Sequence, residues 1–161
     1  MRSRNGARVT PSFQGTFTMA SNVISAPARR ATHADPAIVP LAGRILIAAI
    51  FLLSGLSKLT APAGTIAYIQ AAGLPAPTLA YAVALTVELG GGLLLIAGYR
   101  TRIVAAILAI FAFATAFGFH HDLADQNQFI HFFKNVAMAG GLLQVVAFGG
   151  GRFSLDHRIG G

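Results

Sequence analysis

The stretch from Leu79 to Gly98, LAYAVALTVELGGGLLLIAG, constrains most strongly what this chain folds into. A helix of that length spans ~30 Å, the thickness of a bilayer's hydrocarbon core. Only one of its side chains ionises: Glu88, near the middle. A carboxylate at that depth costs several kcal/mol unless it is protonated or paired. Glu88 is therefore expected to be neutral or to face a polar partner inside the protein. Gly91 and Gly92 lie three and four residues further on, on the same helix face, where the missing side chains let a neighbouring helix come close.

The rest of the chain agrees with lipid as its solvent. Its 161 residues fit one domain. Hydrophobic residues make up 55% and charged residues 11%, against about 25% charged in a soluble domain. The net charge of +7 resides mostly in an N-terminal arm and at helix ends. That distribution fits an anionic membrane surface and argues against a nucleic-acid partner. The chain has no cysteine, which excludes a disulfide framework, a thiol nucleophile and a thiolate metal site.

Three regions follow. Residues 1–37 form a basic arm rich in Ser, Thr, Ala and Pro, with too little apolar surface to offset the entropy of ordering it. The arm is expected to be disordered. Its Arg- and Ser-rich, acid-poor composition also resembles an organelle transit peptide, and Met19 offers an alternative start. Residues 38–148 form the membrane domain, with spans expected at about 38–59, 79–98, 103–119 and 129–148. Residues 149–161 form a short cytoplasmic tail. The expected fold is all-α: an integral membrane four-helix bundle, antiparallel and up-down, with a short interfacial segment between helices 1 and 2. That segment, residues 60–78, is bracketed by Pro62, Gly64, Gly73, Pro75 and Pro77 and places Tyr68 near headgroup level.

Polar residues within the spans mark the candidate site. Arg44, Ala48, Phe51, Gly55 and Lys58 recur at steps of four, three, four and three, so they share one stripe of the first helix. The two cations either snorkel to opposite headgroup layers or pack inward. In the fourth span His131, Lys134, Asn135 and Met138 share a face. The arm, the Arg100/Arg102 turn and the Arg152/Arg158 tail fall on one side of a four-span chain, while Asp122 and Asp125 fall on the other. The positive-inside rule then puts both termini in the cytoplasm.

Arg44, then FLLSGLSK over 51–58, then Glu88-Leu89-Gly90-Gly91-Gly92, then Lys134-Asn135 and Gly140-Gly141 resemble the DoxX family of small bacterial inner-membrane proteins. The resemblance covers about Leu41 to Phe148. It implies a four-helix membrane bundle in the bacterial inner membrane, with polar residues at Arg44, Lys58, Glu88, Lys134 and Asn135. Related proteins include a subunit of a thiosulfate:quinone oxidoreductase. The resemblance thus implies a non-autonomous membrane subunit of a redox-associated complex, linked to quinones or sulfur compounds.

Counting ~1.5 Å per residue from the cytoplasmic edge makes Lys134 the cation nearest to Glu88 in depth. Glu88, Lys134 and Asn135 are therefore expected to converge in the interior, with Lys58 or Arg44 contributing from one side. One acid against two or three bases leaves a positive surplus, suited to an anion, a quinone carbonyl or a lipid phosphate. The alternative is a network that only fixes helix register. No covalently bound cofactor is implied. His120, His121, Asp122, Asp125 and His131 meet no tight metal-ligand spacing, so no metal is expected. Three functional classes remain: a redox-complex subunit, a small-solute or proton-coupled permease with Glu88 titrating, and a non-catalytic anchor for soluble enzymes. The expected partners are the bilayer and either another protein or a second copy of the chain.

Overall fold

The computed structural model describes residues 37–160. Apart from Ala37, the expected arm lies outside the described residues. The regular structure within them is helical throughout: α1 (Ile38–Thr60), α2 (Pro62–Ala71), α3 (Pro77–Leu85), a π-helical turn (Thr86–Gly90), α4 (Gly91–Ala97), α5 (Thr101–Phe119), α6 (Gln126–Phe148) and α7 (Leu155–Arg158). α3, the π turn and α4 form one continuous stretch. Four stretches, of 23, 21, 19 and 23 residues, are thus long and apolar enough to cross a membrane.

The first span begins where hydropathy puts it, and the other three begin two or three residues earlier, at Pro77, Thr101 and Gln126. Pro77 enters at the start of α3, where a missing N–H costs nothing. Asp125 caps α6, accepting from the Gln128 N–H at 2.8 Å. The interfacial segment contains α2, which also starts on a proline. It ends at Gly73, whose φ of 75° turns the chain away.

Large apolar side chains cover the outside: Leu46 is 73% exposed, Leu53 67%, Ile110 69% and Phe148 78%. Such a surface is stable against lipid rather than water. Inside, Ala48, Leu95, Ala105, Leu108, Ala112, Ala139 and Leu142 are fully buried, the small alanines letting backbones approach. Gly91 and Gly92 do the same. A Cβ at Gly91 would come within 2.9 Å of the Leu108 side chain, and one at Gly92 within 2.8 Å of Leu52.

Contacts between α1 and the second span run in reverse order. Arg44 meets Leu95 and Ile96, Gly55 meets Leu89, and Lys58 meets Tyr81. The two pass each other in opposite directions. α5 and α6 do likewise: Phe117 packs on Phe132 and His120 on His131, whereas Arg102 lies beside Gly149. One end therefore gathers arginines, together with His157, and the other gathers His120 and His131.

At the arginine end the C-terminal segment is tied down. Arg44, fully buried, donates from Nη1 to the carbonyls of Leu95 (2.9 Å) and Ile96 (3.1 Å) and from Nη2 to that of Phe153. A cation thus satisfies carbonyls at the end of α4 that have no helical partner. Asp156 takes the opposite role at the start of α5. Its carboxylate accepts from the N–H groups of Arg100 (2.7 Å) and Thr101 (2.8 Å) and from the Thr101 hydroxyl (2.6 Å). The tail is thus a packed element that caps two spans.

Burial pushes the Asp156 carboxyl up, but the bonds from Thr101 and Arg100 and the Arg100 charge outweigh this and hold it below its ordinary value. The folded protein then binds this proton more weakly than the unfolded chain does. The latch's stabilisation is present above the ordinary carboxylate pKa and lost as pH falls through the lowered one. Thermal melts from neutral pH to about pH 3 should show a smaller acid-induced loss of Tm in Asp156→Asn than in the wild type. Equal losses would show that the latch does not titrate.

Candidate functional site

The stripe read from the sequence is the inward face of α1: Arg44, Ala48, Phe51 and Gly55 are its buried residues. Both cations on it pack inward. Lys58 Nζ lies 2.9 Å from Glu88 Oε1 and also donates to Ser54 Oγ at 2.7 Å. The Ser54 hydroxyl in turn donates to the same Glu88 oxygen at 3.2 Å. Glu88 is buried, and its second oxygen, Oε2, has no hydrogen-bond partner.

This pairing corrects the expectation from depth, which put Lys134 nearest to Glu88. Depth counts Cα positions, but side chains on a helix lean toward its N-terminus. α1 and the second span run oppositely, so Lys58 leans back along α1 while Glu88 leans toward it. Lys134 leans toward the start of α6 and meets His131 Nδ1 at 2.7 Å. Arg44 leans toward the start of α1, into the carbonyls at the arginine end. One rule of direction thus separates the four charges.

Glu88 also sits on the π turn. There the Thr86 hydroxyl donates to the Ala82 carbonyl at 2.9 Å and shares it with the Thr86 N–H, and glycines follow at 90–92. Such widened turns occur frequently at functional sites.

Glu88 and Lys58 face a cavity of about 400 Å³. Its walls come from α1, α2, α3, the π turn, α5 and α6, and are mostly apolar. The polar groups on it are Ser54, Lys58, Thr65, Tyr68, Glu88, Thr115, His120, Lys134 and Asn135. Lys134 and Asn135 therefore share the cavity with Glu88 without bonding to it. Asn135 Nδ2 instead donates to the His131 carbonyl at 3.0 Å. Two lysines against one acid leave the cavity one positive charge in surplus. α2 covers one side, where Tyr68 stacks on Phe119 with ring centroids 5.5 Å apart. Arg44 does not line this cavity.

Some of this the residue patterns missed. Ser54 stands one turn before Lys58, a spacing that marks it as a partner; Tyr68 reads as a headgroup-level aromatic rather than a cavity wall, and Thr115 carries no signal of its own. The role of α2 in walling a cavity was not visible either.

A sequence profile of the DoxX family matches residues 39–121. The chain belongs to the DoxX family. It is 38% identical to the inner membrane protein YqjF of Escherichia coli over 74% of this chain and 90% of that one. It is 33% identical to the inner membrane protein YphA of the same organism, over 75% and 90%. A shorter match, 40% identical over 42% of this chain and 48% of the other, is to CatD of Bacillus subtilis, provisionally named an oxidoreductase. No solved structure matches.

In this DoxX protein the Lys58–Glu88 pair predicts a specific mutational pattern. Glu88→Gln strands a cation and Lys58→Met strands an anion. Breaking such a buried pair costs roughly 3–5 kcal/mol, whereas replacing both partners by uncharged groups can be neutral. Thermal unfolding in detergent should therefore show both single variants less stable than Glu88→Gln/Lys58→Met, with Lys134→Met close to wild type. Strict additivity of the two losses would mean that the residues do not pair.

Proposed function

We propose that this DoxX protein is a membrane subunit of a redox-associated complex, and that its cavity binds a quinone headgroup. The observation that carries this reading is the Lys58–Glu88 pair on the wall of a mostly apolar cavity of about 400 Å³. Ligand sites of this size are lined mainly by apolar and aromatic groups, with a few convergent polar ones. Here the ion pair offers both kinds of hydrogen bond. The Glu88 carboxylate accepts. Lys58 Nζ has three protons and spends two of them on Ser54 and Glu88. A quinone carbonyl needs a donor and a quinol hydroxyl needs an acceptor, so the same pair of residues serves both forms. The walls, including Phe51, Phe111 and Phe119, suit an aromatic ring.

The protein's own residues bind and orient such a ring and hold protons beside it. With no cysteine in the chain, electron transfer is assigned to a partner protein. The provisional oxidoreductase name of CatD supports the same direction. Lys and Arg placement puts both termini in the cytoplasm, so the histidine end opens on the opposite side.

Titration of a short-chain quinone into the purified protein in lipid nanodiscs tests the reading. The expected result is saturable binding at one site, weakened about 10-fold or more in Glu88→Gln, the effect of losing a hydrogen bond to a charged group. Filling the cavity with Ala84→Phe should weaken binding similarly. Binding that never saturates, or that both variants leave unchanged, would contradict a quinone site and favour a permease or an anchor.

A further inference from the structure

A second cleft lies at the arginine end, away from the cavity. Its volume is about 620 Å³, and Arg100, Arg102 and Arg152 line it together with the loop 149–151. All three arginines are exposed, and among the described residues none of their side chains donates a hydrogen bond. The cleft's one acid, Asp156, has both oxygens occupied by Arg100 and Thr101 at the start of α5. Three guanidiniums against one engaged carboxylate leave a cationic surplus with unused donors.

The loop beneath is shaped for close approach. Gly149 has φ 78°, and a Cβ there would come 3.4 Å from Arg102 Nε, so Arg102 lies across bare backbone. A Cβ at Gly150 would fall 2.8 Å from Thr101 Oγ1 and 2.7 Å from Ser154 Cβ, so a side chain would force the loop off α5. The arginines sit where the spans end: Arg102 in the first turn of α5, Arg152 four residues past the last residue of α6. Beside them Phe148 is 78% and Ile103 56% exposed, on faces that meet lipid. Charge above and apolar surface below match the two parts of a phospholipid.

We propose that this cleft binds a phosphate group, supplied by the headgroup of an anionic phospholipid. Guanidinium forks from Arg102 and Arg152 hold the phosphate oxygens, with Arg100 adding charge. The acyl chains lie along Phe148 and Ile103. A phosphate held in this way bridges α5 to the C-terminal segment and adds to the ties made by Arg44 and Asp156. The site is independent of the quinone reading.

The test uses the full chain in neutral detergent, with three probes added separately: phosphatidylglycerol, phosphatidylcholine and inorganic phosphate. Native mass spectrometry reads retention and thermal melting reads stabilisation. Phosphatidylglycerol should be retained and should raise Tm saturably, with phosphatidylcholine much weaker. In Arg102→Gln/Arg152→Gln the apparent affinity for phosphatidylglycerol should fall about 10-fold or more, with the lipid-free Tm little changed. Arg152→Gln alone, in the exposed tail, should show a smaller loss and serves if the double variant does not fold. An arginine-dependent rise with inorganic phosphate alone, and none with lipid, keeps the phosphate site but makes free phosphate its source. Equal responses of wild type and variants to every probe, or no response to any, would overturn the proposal.

Discussion

Hydrocarbon offers a charged side chain no water, so a charge inside this protein must be met by another group of the chain. Glu88 is the residue on which that constraint bears hardest. Lys58 and Ser54 converge on one of its oxygens, which ties α1 to the second span at the level of the π turn. Glycines at 55, 91 and 92 then bring backbones close enough for the contact to form. The remaining carboxylate oxygen is buried without a hydrogen-bond partner, and Glu88 itself lines the cavity.

The two cations of α1 illustrate two ways of burying charge. Arg44 is fully enclosed, and three carbonyls from two segments share its guanidinium. It closes the end of α4 and fastens the tail, and its neighbours leave no room for a ligand. Lys58 retains partial exposure and a spare proton beside the cavity. The fold thus separates a structural cation at one end from a chemically available one at the other, with the Ala- and Leu-rich core between them.

Much of this was legible in the residues. The spans follow from uncharged length, and the stripe through Arg44, Ala48, Phe51 and Gly55 follows from helical period, because both depend only on local geometry. The identity of Glu88's partner was not legible. Depth along an axis locates Cα atoms, whereas a lysine head stands about a turn away from its own Cα, in a direction set by the run of its helix. The π turn escaped notice because no apolar pattern marks it. Asp156 escaped for a related reason: it caps a helix more than fifty residues earlier in the chain, and no local signal announces such a contact.

The chain contains a single glutamate, Glu88, and two lysines, Lys58 and Lys134. Isotope labels at the glutamate carboxyl carbon and at lysine Nζ therefore leave two candidate couplings for solid-state NMR of the protein in bilayers. The predicted result is a strong dipolar coupling that vanishes in Lys58→Met and persists in Lys134→Met. A coupling that survives Lys58→Met, or none in the wild type, would contradict the pairing on which the site is built.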